Sequence, residues 1–307
     1  MNALSFGRSI ENALGKSAYR ALTAAARQIA RARAESAVID GVFMPYFVRP
    51  SAEAGAPPVV LIHGFGGDKE GWLVMASFLH RTRGFVIPDL PGFGAAGHIP
   101  KERASARQQA RAIAELLNRL NVPGAHLVGN SMGGGVALRF AQDFPERALS
   151  LTLIGSVGPM VEEKSEVGLA FDRGENLLIT KSPEDIERLF ALVAERLPPT
   201  PRAVRRYLGR ERFARQEAHA ELFEGWISPP EGDGIDTNLS RHRMPVLVIH
   251  GDKDRVIHPA TGRALAAQLP DARLERLAGI GHVPHIEAPK KTAELLEAFL
   301  ADAARPR

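Results

Sequence analysis

The pentapeptide GNSMG at residues 129–133 gives Ser131 a setting in which a serine can act as a nucleophile. The apolar run over 125–129 predicts a strand, and the pattern over 132–144 predicts a helix. A tight turn between them would project Ser131 Oγ above the sheet. The alternative is a packing loop, in which glycines only let the strand and the helix approach each other.

A serine hydroxyl needs a base within hydrogen-bond reach and a third group that orients the base. In a strand-turn-helix setting the expected chain order is serine, carboxylate, histidine. Asp252 and Asp254 follow the predicted strand over 245–250, and His282 follows Gly281 after the last predicted strand. The residues themselves leave the choice between the two aspartates open, because the one nearer the strand could simply close the turn.

Four other histidines compete with His282 for the role of base. They lie at strand ends or in loops and are His63, His250, His258 and His285. A loop histidine is more often a hydrogen-bonded polar residue than a base. The place of His282 directly after a glycine and the last strand favours it over the others.

The loop over 63–67, with the sequence HGFGG, follows a predicted strand and is a candidate oxyanion site. In this geometry one backbone N–H comes from the residue after the nucleophile and one from such a loop, which predicts Met132 and Phe65 as donors. A glycine-rich loop can also bind phosphate. This one lacks both G-x-G-x-x-G and a Gly-Lys-Ser/Thr ending, which disfavours nucleotide binding.

Strands and helices alternate along most of the chain. The predicted strands are a hairpin over 38–48 and runs over 58–62, 85–89, 125–129, 149–154, 245–250 and 273–277, and the helices begin near 71 or span 103–121, 132–144, 260–269 and 289–303. Such alternation predicts the α/β class, with a mostly parallel central sheet and helices on both faces.

Residues 157–241 interrupt this alternation with helical patterns and no strand signal. We expect an α/β core over 38–156 and 242–307, interrupted by this segment as a helical cap that covers the site like a lid. Its apolar residues suit a substrate pocket, but a helical cap needs them for its own packing too. The sequence therefore leaves the substrate-binding residues unknown.

Residues 1–37 carry six basic and two acidic residues, which equals the formal net charge of +4 for the whole chain. A helix would place one apolar stripe opposite its cations. The stripe is Leu14, Ala18, Leu22, Ala25 and Ile29, and the cations are Lys16, Arg20, Arg27 and Arg31. Two interpretations are open: a helix lying on the domain surface, or a peripheral contact with an anionic membrane.

The amino-acid composition excludes several kinds of site and segment. The chain has no cysteine, which excludes disulfides, thiolate metal sites and a thiol nucleophile. It has no apolar run of about 18 residues and no signal-peptide core at its start, so we expect neither a spanning helix nor a cleaved leader. We expect no cofactor, no metal and no nucleic-acid partner, and a cytoplasmic location with or without membrane association.

The motifs together resemble the α/β-hydrolase superfamily over about residues 38–303. The finer resemblance is to the bacterial family V lipolytic esterases and lipases. It rests on LIHGFGGDKEGW, GNSMGGG, GDKDRVI and GHVPHIE, and on the insertion stretches LLITKSPEDIERLF and LPPTPRAVRRYLGRERF. The segment DLPGFG at 89–94 also fits, although Ala95 replaces the small hydroxyl residue that usually follows it.

This resemblance implies that Ser131 is the nucleophile, Asp254 the acid and His282 the base of a carboxylic ester hydrolase. It also leaves other functions open on the same three residues: a carbon–carbon bond hydrolase, a polyester depolymerase or a perhydrolase. Dehalogenases and epoxide hydrolases would carry an aspartate in place of Ser131. The hypothesis from another functional class is a ligand receptor that retains these three residues but does not turn over a substrate.

Overall fold

The computed structural model describes residues 3–235 and 238–303, with the side chains of 3–10 outside that description. Its strands are β1 Arg33–Ile39, β2 Val42–Arg49, β3 Val59–Ile62, β4 Phe85–Pro88, β5 Ala125–Asn130, β6 Ala148–Ile154, β7 Val246–Gly251 and β8 Ala272–Leu277. Its α-helices are α1 Ala3–Ile29, α2 Leu73–Phe78, α3 Ala106–Arg119, α4 Met132–Asp143, α5 Glu166–Asp172, α6 Asp185–Val193, α7 Arg202–Phe213, α8 Gln216–Ile227, α9 Pro259–Gln268, α10 Pro284–Glu287 and α11 Pro289–Ala303.

The strands form one sheet in the order β1-β2-β4-β3-β5-β6-β7-β8. β1 and β2 are antiparallel to each other, β2 is antiparallel to β4, and the remaining neighbours are parallel. The prediction of a mostly parallel central sheet is confirmed. Because the parallel strands share one direction, the loops that follow them gather at one edge of the sheet.

Helices cover both faces of this sheet, and the side chains of β3 show why. Val60 and Ile62 belong to the apolar cluster that includes α3 and α4, whereas Val59 and Leu61 belong to the cluster that includes α2 and α11. All four are fully buried. Alternate side chains of a strand point to opposite faces, so a continuous apolar run is what a strand covered on both sides requires.

The first hairpin begins earlier than predicted. The turn at Asp40 and Gly41 is where the sequence predicts it, and both residues have positive φ, +48° and +78°, as a tight hairpin turn requires. However, β1 starts at Arg33 and pairs with β2 from there. The prediction of one helical segment over 1–37 is therefore wrong for its last residues: the helix ends at Ile29, because Arg31 takes a positive φ of 57°.

Four helices, α5 to α8, lie between β6 and β7, in the segment 157–241 that we call the cap segment. Ile186, Leu189 and Val167 of this segment form a separate apolar cluster together with Val256 of the core. The division into core and cap, and the role of the cap segment as a lid, stay predictions; residues 1–2, 236–237 and 304–307 lie outside the described residues.

The N-terminal helix contacts the cap segment through a face that differs from its apolar stripe. Gly15 packs against the backbone of Ala203, and the ring of Tyr19 lies 5.8 Å from that of Tyr207 in α7. Meanwhile three large members of the stripe stay exposed: Leu14 by 61%, Leu22 by 53% and Ile29 by 70%. The helix lies on the domain surface, yet its apolar stripe faces away from the domain.

Candidate active site

Ser131 occupies the turn between β5 and α4 and has a φ of 55°, a conformation that a non-glycine residue rarely adopts. Such strain costs on the order of 1–3 kcal/mol and persists only where the surroundings enforce it. Here they do: a Cβ on Gly129 would lie 2.2 Å from Gly133 O, and one on Gly133 would lie 2.3 Å from Ile62 O. The glycines of the motif are thus required by close backbone packing around the serine turn.

His282 lies in the loop after β8 and is held from three sides. Its ring Nδ1 is 2.9 Å from Asp254 Oδ2, its backbone N–H donates to Val193 O at 2.8 Å, and its carbonyl accepts from Asn130 Nδ2 at 3.1 Å. Asn130 directly precedes Ser131, so the loop of the histidine contacts the serine turn. An ionised carboxylate can only accept, which puts the ring hydrogen on Nδ1 and leaves the lone pair of neutral His282 on Nε2.

Asp254 is buried, and four N–H groups lie within 3.1 Å of its two carboxylate oxygens. Oδ1 accepts from the backbone N–H groups of Val256 at 2.8 Å and Ile257 at 2.9 Å. Oδ2 lies 2.9 Å from His282 Nδ1 and 3.1 Å from His250 Nε2. Burial raises the pKa of Asp254, but the charge of protonated His282 and the hydrogen bonds from both histidines outweigh it and hold that pKa below its ordinary value.

The other aspartate that the sequence offers has a different place. Asp252 Oδ1 accepts the backbone N–H of Gly279 at 2.7 Å, and the Asp252 N–H donates to Leu277 O at 3.0 Å. Asp252 therefore ties the end of β7 to the loop after β8, as a turn residue does. Of the two candidates, the structure brings Asp254 to His282.

His63 is the first residue of the loop over 63–67, which we call the oxyanion loop, and each of its ring nitrogens has a hydrogen-bond partner. Its Nε2 accepts the N–H of Leu90 at 3.0 Å, so the hydrogen lies on Nδ1, which donates to Gly64 O at 2.8 Å. Burial lowers the pKa of His63, in agreement with this neutral form. His63 therefore joins the loops that follow β3 and β4.

Of the two remaining competitors, His258 directly precedes α9 and His285 lies in α10. His258 Nδ1 accepts the N–H of Ala260 at the start of α9. His285 is stacked on Trp72 at 4.1 Å, and burial, helped by nearby His282, lowers its pKa to about 3. Neither has a described contact with the carboxylate of Asp254.

The oxyanion loop lies against the serine. A Cβ on Gly64 would be 3.1 Å from Ser131 Cβ, so a larger residue there would crowd Ser131. Phe65 follows Gly64 in the loop, and Met132 follows Ser131 as the first residue of α4. That their N–H groups hold an oxyanion stays a prediction.

A buried ion pair between Lys69 and Asp89, which the sequence does not indicate, lies just after the oxyanion loop. Asp89 accepts from the backbone N–H of Lys69 at 2.7 Å, from Lys69 Nζ at 2.8 Å and from the N–H of Ala95 at 2.8 Å. Although burial lowers the pKa of Lys69, the carboxylates of Asp89 and Glu70 raise it above its ordinary value. The segment DLPGFG contains this aspartate, but a contact 20 residues away along the chain leaves no local signal.

Arg212 is a second residue that the sequence did not single out. It lies in α7 and donates to Gly66 O in the oxyanion loop at 2.8 Å and to Leu178 O in the cap segment at 3.0 Å. Burial lowers its pKa to about 10, with the carboxylate of Asp68 acting in the opposite direction. The guanidinium thus connects the cap segment directly to the loop beside the serine.

Aromatic rings from the core and the cap segment surround Phe65. Its ring lies 5.5 Å from Phe93, 5.2 Å from Phe223 and 5.9 Å from His219, in edge-to-face contacts. Burial, with smaller effects of two neighbouring arginines, lowers the pKa of His219 to about 3, so its ring is uncharged at neutral pH. Phe171, which is 40% exposed, contacts Phe223 at 5.4 Å. A chain of aromatic contacts therefore runs from the surface to the oxyanion loop.

Within residues 3–235 and 238–303, no group of three or more histidine, aspartate or glutamate side chains is arranged to hold a metal ion. The same part of the chain contains no helix that is both long and apolar enough to cross a bilayer.

Comparisons with known proteins agree with this architecture. A family model described as the alpha/beta hydrolase fold matches residues 57–289. Lipase 1 of Psychrobacter immobilis is 31% identical over 248 residues, covering 79% of this chain and 76% of the lipase. A 2-hydroxymuconate semialdehyde hydrolase of Pseudomonas putida is 34% identical over 256 residues, covering 80% and 88%. A crystal structure described as a membrane phospholipase A, a bacterial virulence factor, superposes with a TM-score of 0.88 at 31% identity, covering 99% of this chain and 96% of that one.

Proposed function

Because the chain belongs to the α/β-hydrolase family, we propose that it cleaves carboxylic esters through an acyl-enzyme on Ser131. The observation that carries the proposal is the hydrogen bond of 2.9 Å between His282 Nδ1 and Asp254 Oδ2, in a loop that contacts the strained turn of Ser131. The lipases among the similar proteins support ester hydrolysis over other hydrolytic chemistry.

In the first half of the reaction, Ser131 Oγ attacks the ester carbonyl carbon while His282 Nε2 takes the hydroxyl proton. Asp254 stabilises the imidazolium that forms, and the N–H groups of Phe65 and Met132 stabilise the negative carbonyl oxygen. The tetrahedral intermediate then collapses. The bond to the alcohol oxygen breaks, His282 returns its proton to that oxygen, and an acyl group remains on the serine.

In the second half, water takes the place of the alcohol. His282 removes a proton from the water as its oxygen attacks the acyl carbon, and the same N–H groups stabilise the second oxyanion. Collapse breaks the bond to Ser131 Oγ, which receives the proton back from His282. The products are the carboxylic acid and the free enzyme.

We propose lipid esters as the substrate class. The similar proteins include lipases, monoacylglycerol lipases and a membrane phospholipase A. The aromatic contacts from Phe171 through Phe223 to Phe65 offer an apolar path for an acyl chain. We also propose that the cap segment covers the site as a lid, since Ser131 is only 9% exposed.

A peripheral contact with an anionic lipid surface is part of the proposal. The exposed Leu14, Leu22 and Ile29 form one stripe of α1, and α2, which packs against α1, exposes Val74 and Phe78 by 47% each. Exposed apolar side chains on one side of a cationic helix are what interfacial binding uses. Co-sedimentation with vesicles containing anionic lipid should fall for the triple change of the three α1 residues to Ser. Unchanged binding would contradict this contact.

The test of the proposed activity is hydrolysis of nitrophenyl esters with acyl chains from C2 to C16, by wild type and by Ser131→Ala. We expect turnover by wild type and a loss of at least about 10³-fold in the variant, because the nucleophile is gone. Activity of Ser131→Ala at the wild-type rate would contradict the proposal. Lack of turnover by wild type together with stoichiometric ligand binding would favour a receptor instead.

A second candidate is cleavage of a carbon–carbon bond next to a ketone by the same three residues. The hydroxymuconate semialdehyde hydrolase, at 34% identity, favours it. The two candidates separate in one comparison: the rate with a ring-cleavage product bearing a vinylogous diketone against the rate with a matched ester. A higher kcat/KM for the diketone would replace ester cleavage as the main activity.

A further inference from the structure

A second histidine contacts the carboxylate of Asp254, and no step of the proposed reaction uses it. His250 lies in β7, and its side chain is 1% exposed. Its Nε2 is 3.1 Å from Asp254 Oδ2 and 3.1 Å from Ile257 O. Both of these oxygens can only accept, so Nε2 carries a hydrogen. That hydrogen makes its hydrogen bond with Ile257 O, and Asp254 Oδ2, which also binds His282, lies at the same distance as a second acceptor.

The other ring nitrogen of His250, Nδ1, makes no polar contact within the described part of the chain. Nδ1 is buried there without a hydrogen-bond partner, and it faces Gly262, where a Cβ would lie 2.6 Å away. Burying an unpaired polar nitrogen costs free energy that an apolar residue at this position would avoid. The polar contact that His250 makes is therefore the one through Nε2.

We propose that His250 is a positioning residue for the reaction: its N–H fixes Asp254 and shares the charge of the oxygen that binds His282. This inference rests on the proposed ester hydrolysis. With His250 in place, the N–H that it shares with Ile257 O lies beside Oδ2 as a second donor, and this contact restrains the carboxylate from rotating away from the imidazole. Without it, Oδ2 would keep a single donor, His282.

The same contact tunes the charge that His282 experiences. The titratable side chains facing this carboxylate are His250 from β7 and His282 from the loop after β8, and His285 of α10 lies close enough to affect His282. An N–H donated by His250 withdraws negative charge from Oδ2. Removing that donor should leave the full charge to His282, favour its protonated form, and move the acidic limb of the kcat/KM profile to higher pH.

Two variants of equal side-chain length separate the donor from the packing. In His250→Gln an amide N–H can reach the position of Nε2, whereas His250→Met fills similar space without a donor. The assay is kcat, KM and the pH profile of kcat/KM with a short-chain nitrophenyl ester, with melting curves for each variant. Titration with a nitrophenyl phosphonate counts the working sites.

We expect His250→Gln to stay within about threefold of wild type. His250→Met should lose about 10- to 100-fold in kcat with little change in KM, as for a lost hydrogen bond to a charged group, and its acidic limb should lie at higher pH. If His250→Met does not fold, His250→Asn, whose amide is too short to reach Oδ2, takes its place.

Equal losses in the Gln and the donor-free variant, or a donor-free variant with wild-type kcat and pH profile, would overturn the role of His250. A failure of the proposed function is a different result. There, wild type itself would neither turn over esters nor react with the phosphonate at Ser131.

Discussion

The environment of Asp254 predicts the effect of replacing it by Asn. Two backbone N–H groups donate to Oδ1, from Val256 at 2.8 Å and Ile257 at 2.9 Å. An amide nitrogen there would face both donors, so the amide oxygen must take this place. The NH₂ group then points at His282 Nδ1 and donates to it. The ring hydrogen moves to Nε2, where a lone pair must accept the serine proton.

The wrong tautomer of His282 determines how far kcat falls in Asp254→Asn. In the serine protease triad that serves as the general template, the same replacement lowers kcat by about 10⁴. At 1.36 kcal/mol for each factor of ten, that is about 5 kcal/mol of lost transition-state stabilisation. We expect a similar loss in Asp254→Asn, together with a lower melting temperature, because the N–H of His250 would also face the NH₂ group.

The matched control is Asp252→Asn. Asp252 accepts one N–H, from Gly279 at 2.7 Å, and an amide oxygen can accept it equally well. We expect its kcat to stay within about threefold of wild type. Both variants are assayed with the same short-chain ester at saturating concentration, and phosphonate titration corrects for inactive protein. An Asp254→Asn variant that keeps more activity than Asp252→Asn would overturn the assignment of Asp254 as the acid.

Three further perturbations test how the site is held. Arg212→Met removes the guanidinium from Gly66 O, and we expect kcat to fall about tenfold as the oxyanion loop loosens; an unchanged kcat would argue against this role. Gly133→Ala adds a methyl group 2.3 Å from Ile62 O, so urea titration should show a loss of about 3 kcal/mol, and wild-type stability would contradict the packing. Burial raises the pKa of Glu70 from 4.5 to about 7, so the folded chain holds this proton more tightly than the unfolded chain. Stability should therefore fall as pH rises between these values, and Glu70→Gln should flatten that decline in melting scans; an equal decline in both would assign it to other groups.

The central sheet could be predicted from sequence because each of its buried strands carries its own signal. Runs such as 59–62 and 246–249 are apolar at consecutive positions, and the helices between them have their own periodicity. The sequence does not predict a strand over residues 33–37, because their side chains are mostly exposed and the segment carries no apolar alternation. Its pairing with β2 provides the backbone hydrogen bonds that make it a strand.

The residues of the candidate site also differ in whether a local sequence pattern predicts them. Ser131 and His282 stand in short motifs that fix their surroundings within a few residues. Arg212, by contrast, reaches the oxyanion loop from 146 residues away along the chain, and His250 was considered only as a rival base. The contacts of both depend on how the cap segment and β7 pack, and a single sequence does not encode those distances in any local pattern.

The orientation of α1 shows a different limit. Periodicity correctly identifies the stripe of Leu14, Leu22 and Ile29, but it does not say which face of a helix contacts the domain. In the structure small and aromatic residues, Gly15 and Tyr19, make that contact. The side that contacts the domain is thus set by the close backbone approach at Gly15 and the ring contact of Tyr19 with Tyr207, which the periodicity does not show.

The most direct test of the account is the mass of the protein after reaction with a nitrophenyl phosphonate that carries an acyl-like chain. We expect one covalent adduct per chain, on the tryptic peptide between Arg119 and Arg139 that contains Ser131, and none in Ser131→Ala. Loss of ester hydrolysis should follow the extent of labelling. An adduct on any other residue, or full hydrolysis by a fully labelled protein, would contradict the assignment of Ser131 as the nucleophile.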